Sequence, residues 1–385
     1  MMKLVLVVGA RPNFMKIAPI IDAIKAHNSS SERPLQYLLV HTGQHYDEKM
    51  SKLFFDELGI PKPDIDLGVG SGSHAEQTAE VIKRFEKVCV REKPTHVLVV
   101  GDVNSTIACA LVASKLNIKI IHVEAGLRSF DRTMPEEINR VLTDAISDYL
   151  FITEQSAEKN LLKEGVAKEK IFFTGNVMID TLLKHLQKAE KSPILGQMGL
   201  RNGAGECAPY CLLTLHRPSN VDNEQIFRNI LGALVEIAKQ VPIIFPVHPR
   251  TMNRIREFKL EEHFVQGTAG IGRTPAIYCV EPLGYLDFLS LMSHARLVLT
   301  DSGGIQEETT VLGIPCVTVR ENTERPVTVT DGTNHLAGTR KSEIIKAAAS
   351  VLSNGSHRVG QRPVPPLWDG KAAQRIVAEL TRMAP

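Results

Sequence analysis

No stretch of this sequence approaches the ~20 consecutive apolar residues that a membrane-spanning helix requires. Neither positive nor negative charge is in excess: 23% of the residues are charged, and the formal net charge is only +2. Such a balance provides no electrostatic basis for binding nucleic acid or a membrane surface. The first residues, Met1-Met2-Lys3, lead into a strand-like run and not to a signal-peptide cleavage site. We therefore expect a cytoplasmic protein whose partner is a small molecule.

Cysteines are few and scattered. The six of them occur mostly singly in apolar segments, at Cys89, Cys109, Cys207, Cys211, Cys279 and Cys316. This distribution suits reduced core residues better than a disulfide framework. Because Cys207 and Cys211 alone would make a poor metal site, we expect no metal ion.

The dinucleotide fingerprint Gly-x-Gly-x-x-Gly is missing from the first predicted βα turn. Lys3–Val8 is a buried-strand pattern, and the turn at Gly9–Asn13 leads into a helix. Without the fingerprint glycines a dinucleotide is disfavoured, and we expect no cofactor. The turn carries two cations, Arg11 and Lys16, which either meet an anionic ligand or are ordinary surface charges.

Strand-like and helix-like segments alternate in two series along the 385 residues, enough chain for two domains of ordinary size. The alternation stops in the Gly- and Pro-bearing stretch from Ser192 to Pro209 and then resumes. We predict an α/β protein with two doubly wound parallel sheets. The predicted boundaries are 1–190 for the first domain, 191–209 for a linker, 210–358 for the second domain and 359–385 for a C-terminal segment with a helix.

Acidic side chains follow two buried strands of the first domain. Asp102 and Glu124 each come directly after an apolar run. The carboxyl ends of parallel strands form one rim where ligands bind, so Arg11, Asp102 and Glu124 should converge. Asp102 could instead only support the start of the next helix. Glu136 stands in the first turn of a later helix, where an acid also stabilises the helix dipole.

The segment from Leu297 to Pro326 has a strand, a glycine turn and a helix start. Ser302 is a good N-cap, and the following glycines let a ligand approach the backbone closely. The free N–H groups and the helix dipole favour an anion, most often phosphate. Glu308, four residues after Gly304, lies on the same helix face and could accept hydrogen bonds from sugar hydroxyls. The alternative is a tight turn followed by a solvated Glu-Glu pair.

Histidines also stand at predicted strand ends. His216 and His248 follow two strands of the second domain, and His45 follows a strand of the first. This placement puts them at the ligand-binding rims, although a single histidine often serves only a structural hydrogen bond.

The order of the motifs is more specific than any one of them. The chain contains GARPNFMKIAP, GDVNST, HVEAGLRSFDRTMPEEINR, TGN, TLHRPSN, FPVHPR, TDSGGIQEE and TERP. This series resembles the non-hydrolysing UDP-N-acetylglucosamine 2-epimerases. The resemblance implies a GT-B architecture, with two Rossmann-like doubly wound domains facing across a cleft and the C-terminal helix packing back on the first. It also implies an isomerase that interconverts UDP-GlcNAc and UDP-ManNAc without a nicotinamide cofactor. The family's enzymes are expected to be cytoplasmic homodimers that supply sugars for polysaccharide biosynthesis.

The resemblance also implies roles for individual residues. UDP would be eliminated across C1–C2 to leave 2-acetamidoglucal, and then added back with the proton on the other face. Asp102, Glu124 and Glu136 match the family's catalytic carboxylates, and Asp102 is the first candidate for taking the proton. His216, beside the diphosphate and hexose, completes the expected catalytic set. The expected substrate-binding residues are Arg11, Lys16, the phosphate turn Ser302, Gly303 and Gly304, the ribose contact Glu308, the cation Arg325, and Leu283 and Phe288 at the uracil.

Two departures from the family pattern concern regulation and substrate. Many bacterial members read GTRPE and HRxEN where this chain reads GARPN and HRPSN. Bacterial members can carry an allosteric UDP-GlcNAc site, which Gln44, His45 and His248 match here and Asp47 and Pro218 do not. The same substitutions could accompany a different hexose on UDP, such as a diacetamido-uronic acid.

Three other functions would use parts of the same pattern. A GT-B glycosyltransferase would share the phosphate turn and Glu308, but it needs an acceptor site and has less use for three carboxylates. A hydrolysing epimerase would release free ManNAc. A UDP-sugar sensor would leave the acid and base groups idle.

Overall fold

The computed structural model describes residues 2–43, 57–201, 205–271, 274–353 and 364–383. The chain divides into two compact units. The first unit comprises Met1–Lys184 and Pro366–Pro385, and the second comprises His185–Pro365. The chain thus passes from the first unit to the second and returns to the first at its end.

The first unit is built on a seven-stranded sheet. Its strands are β1 (Lys3–Val8), β2 (Gln36–His41), β3 (Ile65–Asp66), β4 (His96–Val100), β5 (Lys119–Ala125), β6 (Tyr149–Ile152) and β7 (Ile171–Phe173). They lie in the order β3-β2-β1-β4-β5-β6-β7, and each neighbouring pair is parallel. The direction of winding reverses between β1 and β4, which is the topological switch point where open α/β sheets bind ligands.

Helices flank this sheet. They are α1 (Arg11–Ser30), α2 (His74–Glu92), α3 (Asn104–Lys115), α4 (Pro135–Ile146), α5 (Gln155–Lys163) and α6 (Val177–Ala189). The central strands β1 and β4 are apolar along almost their whole length, as expected for strands that are covered on both faces. Val7 and Val99 of these strands share one core cluster with Phe85 of α2 and Ala110 of α3.

The end of β5 departs from the regular strand that its sequence predicts. We expected the strand to stop before Glu124, but β5 continues to Ala125 with a register shift between Val123 and Ala125. Glu124 has φ +73°, in the left-handed region. For a residue with a side chain this conformation costs about 1–3 kcal/mol and persists only where the surroundings impose it. Such an irregularity changes the direction in which a side chain at the end of a strand points.

The second unit repeats the design of the first. Its strands are β8 (Cys211–Thr214), β9 (Ile243–Pro246), β10 (Val265–Gln266), β11 (Ile277–Val280), β12 (Leu297–Thr300), β13 (Cys316–Thr318) and β14 (Asn334–Leu336). The order is β10-β11-β9-β8-β12-β13-β14, again with parallel neighbours. The switch point of this sheet therefore lies between β8 and β12.

The helices of the second unit are α7 (Ile194–Gln197), α8 (Pro218–Val221), α9 (Glu224–Ala238), α10 (Pro249–Glu257), α11 (Tyr285–His294), α12 (Gly303–Leu312), α13 (Val327–Thr330) and α14 (Lys341–Ser353). α9 begins at Glu224, where the Asn223 side chain accepts a hydrogen bond from the Ile226 amide. The stretch predicted as a linker contains α7 and a β-bridge between Arg201 and Cys207, and it belongs to the second unit.

The last helix, α15 (Ala372–Met383), belongs to the first unit and packs against α1. The Asp180 carboxylate on α6 accepts hydrogen bonds from the amides of Ala372 and Ala373 at the start of α15. Just before this helix, the Trp368 indole donates to the Thr153 carbonyl. Burial raises the pKa of Asp180 to about 6, although these two amide donors favour its charged form.

The predicted fold class, α/β with two Rossmann-like doubly wound parallel sheets, is confirmed. All six cysteines are free thiols, and five of them are buried, as their sequence surroundings predict. Within the described ranges, no helix combines the length and the apolar character needed to cross a bilayer.

Candidate active site

The switch point of the first unit carries the acids that the sequence singled out. Gly9 and Gly101 follow β1 and β4, the strands that flank the switch point. Asn13 joins the two loops, because its side chain accepts hydrogen bonds from the Gly9 and Ala10 amides and donates to the Val100 carbonyl. Asn13 is one of the positions that departs from the bacterial pattern, and here it braces the ligand-binding edge of the sheet.

Glu124 and Lys16 form a buried ion pair at this edge. The Lys16 Nζ lies 2.6 Å from Glu124 Oε2, and the two side chains are 7% and 2% exposed. A Cβ atom on Gly101 would lie 2.9 Å from that Nζ, and Gly101 has φ +69°, so glycine is required there. The structure therefore brings together Lys16, Glu124 and the residue preceding Asp102, as the parallel topology predicts.

Asp102 has a different cation. The Arg140 guanidinium donates from one nitrogen to Asp102 Oδ2 over 2.5 Å and from another to Glu137 Oε2 over 2.8 Å. Arg140 is buried, whereas one fifth of the Asp102 side chain is exposed. The sequence reasoning missed Arg140; its only local signal is its position three residues after Glu137 on one helix face.

Glu137 has a structural role beside these acids. Its carboxylate accepts hydrogen bonds from the Ser129 amide and hydroxyl and from the Phe130 amide. These hydrogen bonds fix the loop between β5 and α4, in which Phe130 has φ +59° and is 74% exposed. The neighbouring Glu136 is half-buried in the first turn of α4, and its side chain has no hydrogen-bond or ion-pair partner among the residues that the structure describes. The structure thus does not pair Glu136 with Asp102 or Glu124.

Two predicted residues of the first unit, and the side chain of a third, lie outside the described part of the chain. Arg11 is the first residue of α1, but its side chain lies outside the described part of the chain. Gln44 and His45, two of the three candidate allosteric residues, also lie outside the described residues.

In the second unit, Asp301 organises the loops at the switch point. Its fully buried carboxylate accepts hydrogen bonds from the amides of His216 and Arg217 and from the Asn220 side chain. The His216 Nδ1 lies 3.2 Å from Asp301 Oδ1, and 46% of the His216 side chain is exposed. Asp301 therefore holds the loop that presents His216 at the edge of the sheet. The sequence places Asp301 in the turn motif but does not reveal this contact.

The predicted phosphate turn has the expected geometry with one difference. Ser302 is the N-cap of α12, as predicted, but its side chain caps none of the first-turn amides. A Cβ atom on Gly303 would lie only 2.6 Å from an Arg325 nitrogen, so this position must be glycine. The first-turn amides that begin at Gly303 and Gly304 form a helix N-terminus without a side-chain cap, the arrangement that suits an anion.

A buried network of charges lies beside this turn. The Glu324 carboxylate accepts hydrogen bonds from Arg217, Arg320 and Arg325, over 3.3, 2.8 and 2.6 Å. Arg325 also donates to Glu307 over 2.7 Å. Burial lowers the pKa of Arg320, and the nearby positive charge of Arg217 acts in the same direction. We call Arg217, Arg320, Arg325, Glu307 and Glu324 the arginine network. It gathers three cations around one carboxylate next to the N-terminus of α12.

Glu308 is buried, and so is Glu307, which contradicts the alternative of a solvated Glu-Glu pair. The Tyr285 hydroxyl donates to Glu308 Oε1 over 3.0 Å. Burial raises the pKa of Glu308 to about 8, with a smaller contribution from the charge of Glu307 and against the effect of the Tyr285 hydrogen bond. Glu308 therefore retains a proton near neutral pH, so that it can donate as well as accept a hydrogen bond.

The remaining predicted residues lie near the same edge of the second sheet. Leu283 is half-buried in the turn before α11, and Phe288 is half-buried in its first turn. His248 is the exposed N-cap of α10, and its Nδ1 accepts a hydrogen bond from the Arg250 amide. The His248 ring centroid lies 6.4 Å from that of His216. Across the described ranges, no group of three His, Cys, Asp or Glu residues could hold a metal ion.

Two doubly wound parallel sheets, with carboxylates at one switch point and a glycine turn at the other, define an α/β enzyme of the GT-B class. Comparison with known proteins identifies the family. A family model described as UDP-N-acetylglucosamine 2-epimerase matches residues 27–381, and the chain belongs to this family. The predicted family and the predicted enzyme class, an isomerase, are confirmed.

The similarity to individual relatives extends over the whole chain. The UDP-N-acetylglucosamine 2-epimerase of Methanocaldococcus jannaschii is 46% identical over 382 residues, which cover 99% of each chain. The UDP-2,3-diacetamido-2,3-dideoxy-D-glucuronate 2-epimerase of Pseudomonas aeruginosa is 41% identical over 385 residues, covering 99% of this chain and 100% of the relative. The crystal structure of the M. jannaschii UDP-GlcNAc 2-epimerase in complex with UDP-GlcNAc and UDP matches with a TM-score of 0.87 at 44% identity, covering 99% of this chain and 100% of that one.

Proposed function

We propose that the protein catalyses the reversible C2 epimerisation of UDP-N-acetylglucosamine to UDP-N-acetylmannosamine. The observation that carries the proposal is the pair of carboxylates at one switch point, Asp102 with Arg140 and Glu124 with Lys16. The names of the M. jannaschii relative and its UDP-GlcNAc-bound structure support the substrate.

Elimination explains why such an enzyme needs both acid–base groups and an anion site. The proton on C2 is not adjacent to a carbonyl group and is barely acidic. In the proposed route a base takes this proton, the C1–O bond breaks, and UDP leaves with the bonding electrons while a C1–C2 double bond forms. UDP then adds back to 2-acetamidoglucal, and C2 receives a proton on the opposite face. The two steps require proton transfer at C2 and stabilisation of the leaving diphosphate.

In the first unit, Asp102 is the first candidate for the group that exchanges the C2 proton. Its carboxylate is partly exposed, and Arg140 holds it in one orientation. Glu124 and Glu136 are the candidates for the second proton-transfer group. Lys16 supplies positive charge next to Glu124. The family resemblance assigns Arg11 to substrate binding.

In the second unit, the uncapped N-terminus of α12 is the proposed site of the diphosphate, with Ser302, Gly303 and Gly304 as its backbone. At this site His216 and Arg325 are proposed to provide positive charge or hydrogen-bond donors to the diphosphate, which gains negative charge as UDP leaves. Glu308, held by Tyr285, is the proposed contact to the ribose hydroxyls. Leu283 and Phe288 are the proposed contacts to the uracil ring.

The test is incubation of the purified protein with UDP-GlcNAc in deuterated water, followed by proton NMR of the sugar. We expect an anomeric signal of UDP-ManNAc and deuterium at C2 of both epimers, because the C2 proton exchanges with solvent. Recovery of UDP-GlcNAc that is neither converted nor deuterated would contradict the proposal. Release of free ManNAc would indicate the hydrolysing reaction.

A second candidate substrate is a UDP-linked diacetamido-uronic acid. It is favoured by one observation, the 41% identity to the P. aeruginosa 2-epimerase of that sugar over the full chain. The same NMR experiment with both nucleotide sugars at equal concentration separates the two. We expect the higher kcat/KM for UDP-GlcNAc.

We further propose, from the family resemblance, that the protein works as a cytoplasmic homodimer and supplies ManNAc-type sugars for polysaccharide biosynthesis. Light scattering coupled to gel filtration tests the dimer. A mass near the 42.5 kDa of one chain would contradict it.

A further inference from the structure

A series of charged side chains, most of them buried, extends from β5 of the first unit. It consists of His122 on β5, Asp144 on α4, Arg128 after β5 and Glu164 at the end of α5, and we call it the β5 charge chain. His122 Nδ1 lies 2.6 Å from Asp144 Oδ1. Asp144 Oδ2 lies 2.7 Å from Arg128, which pairs with Glu164 over 2.6 Å. His122, Asp144 and Arg128 are almost completely buried.

Asp144 is ionised in this chain of contacts. Burial opposes its charge, but His122 and Arg128 together hold the pKa of Asp144 below its usual range. Its Oδ2 also accepts a hydrogen bond from the Gly126 amide over 3.0 Å. An ionised carboxylate has no proton to donate, so Oδ1 can only accept a hydrogen bond from His122.

The second ring nitrogen of His122 also faces an acceptor. His122 Nε2 lies 2.9 Å from the carbonyl oxygen of Gly101. A neutral imidazole carries one N–H, whereas the imidazolium carries two. Because a carboxylate and a carbonyl both accept, both hydrogen bonds form only when both nitrogens are protonated.

We propose that His122 is a buried imidazolium that positions Asp102 through the carbonyl of Gly101. The Gly101 amide is held as well, because it donates to the Val123 carbonyl over 3.0 Å. On the other side of Asp102, the Asn139 side chain donates to the Asp102 carbonyl over 2.9 Å. The backbone around Asp102 is thus held from β5 and from α4, while Arg140 holds its carboxylate.

The charge of His122 matters for this role. A charge-assisted hydrogen bond to the Gly101 carbonyl is shorter and stronger than a neutral one. Gly101 is in the left-handed region, and glycine is conformationally permissive, so hydrogen bonds to its peptide help to fix its orientation. His122 does not touch the reacting atoms, and we therefore assign it as a positioning residue. Its effect on catalysis rests on the proposed function, whereas its protonation does not.

The first experiment measures protonation directly by NMR. The full-length protein is labelled with ¹⁵N-histidine, and two-bond ¹H–¹⁵N correlations of its 13 histidines are recorded near neutral pH. We expect one ring with two protonated nitrogens whose N–H protons exchange slowly with water. H122Q should remove this ring from the spectrum. Absence of such a ring from the wild-type spectrum overturns the proposal even if H122Q does not fold.

His96 provides a matched control. It is also a buried histidine of the same sheet, but it lies at the amino end of β4, where its Nδ1 meets the Thr95 hydroxyl. Burial lowers the pKa of His96, so its ring should be neutral near neutral pH. H96Q should therefore leave the doubly protonated ring in place. Loss of that ring in H96Q and its retention in H122Q would contradict the assignment to His122.

The second experiment measures the positioning role by kinetics. We expect H122Q to lower kcat about 100-fold, because a small misplacement of a proton-transfer group has effects of this size. KM should stay within about twofold of wild type, since no substrate contact is removed. H96Q should keep the wild-type kcat. An H122Q protein that is folded and retains full kcat overturns the positioning role. A wild-type protein that leaves UDP-GlcNAc unchanged would contradict the proposed function and leave the NMR result standing.

Discussion

The two switch points have the same strand order but differ in how they hold their charges. In the first unit Glu124 pairs with Lys16, and Asp102 pairs with Arg140, which also pairs with Glu137. In the second unit one carboxylate, Glu324, is shared by three arginines. Topology alone therefore locates both candidate sites, because each lies at the carboxyl ends of the strands where the winding reverses.

The difference suits different chemical tasks. A carboxylate that exchanges a proton must be held within hydrogen-bond reach of that proton. A site for an anionic leaving group needs several donors held close together before the ligand arrives, which the arginine network and the N-terminus of α12 provide. The following predictions test this contrast, from the largest expected effect to the smallest.

The largest effect is expected at Asp102. D102N keeps the size of the side chain but removes its charge, so it cannot accept the C2 proton. We expect the rate of deuterium incorporation at C2 to fall about 10²- to 10⁴-fold, the usual range for loss of a general acid or base. Exchange NMR with UDP-GlcNAc in deuterated water measures this rate.

The matched control for D102N is D148N. Asp148 pairs with Lys119 and accepts a hydrogen bond from the Ile120 amide, at the opposite end of β5 from the candidate site. D148N should leave the exchange rate unchanged. Full activity in D102N would show that Asp102 is not a catalytic residue. It would also contradict the proposed difference between the two switch points.

The next largest effect is expected for the buried pair of the first unit. K16Q leaves the Glu124 carboxylate buried without its cation, and breaking such a pair costs about 3–5 kcal/mol of unfolding free energy. The double variant K16Q/E124Q should recover much of this loss, because no uncompensated charge remains. Urea unfolding of the single and double variants measures both values.

An exposed pair in the same unit is the control for K16Q. Lys184 and Asp22 form an ion pair whose side chains are both almost half exposed. K184Q should change the unfolding free energy by at most about 1 kcal/mol, as is usual for surface pairs. Equal effects of K16Q and K184Q would show that the Lys16–Glu124 pair is not held in a buried site.

The third prediction concerns pH, because each unit contains a buried carboxyl with a raised pKa. Folded Glu308 keeps its proton up to about pH 8, whereas the unfolded chain releases it near 4.5. The free energy of unfolding therefore falls as the pH rises between these values and is level above them. For Asp180 the corresponding window runs from 3.8 to about 6.

Because the two pH ranges differ, the contributions of Glu308 and Asp180 to the free energy of unfolding can be measured separately. E308Q should abolish the decline between pH 6 and pH 8, because glutamine cannot ionise but still accepts the Tyr285 hydrogen bond. D180N should affect only the decline below about pH 6. Urea unfolding at a series of pH values measures these slopes. An unchanged slope in E308Q above pH 6 would show that Glu308 is not the group that titrates.

The smallest effect is expected for one member of the arginine network. R217Q removes one of three donors to Glu324, at the longest of the three distances, and Arg320 and Arg325 remain. We expect a loss of only about 1 kcal/mol of unfolding free energy. The same urea unfolding measures this value. If R217Q lost as much unfolding free energy as K16Q, Arg320 and Arg325 would not compensate Glu324 for the loss of Arg217.

Much of the fold could be predicted because its signals are local. The apolar run before Asp301, the two glycines after Ser302 and the stop at Gly313 specify a strand, a turn and a helix. The structure has β12, the turn and α12 at these positions, with Gly313 in the left-handed region that ends the helix. The placement of Asp102 and Glu124 at one edge also follows from sequence, since strands of a parallel sheet end on the same side.

The partners of these residues could not be predicted. Arg140 lies 38 residues from Asp102 along the chain, and its contact depends on how α4 packs beside α3 and β5. Arg217, which reaches Glu324, lies in the loop after β8, 107 residues from Glu324 along the chain. Sequence spacing carries no information on such contacts, because the chain between the partners passes through other elements.

The sequence by itself determined the alternation of strands and helices, the two sheets and the positions of the acids and glycines at their edges. These features depend on side-chain polarity and backbone freedom within a few residues. Only the tertiary structure decided that Glu124 lies in a strained strand end, that Glu308 is buried beside Tyr285 and that His122 meets two acceptors. Protonation and orientation depend on atoms within a few ångströms in space, and it is the packing of distant segments that brings those atoms together.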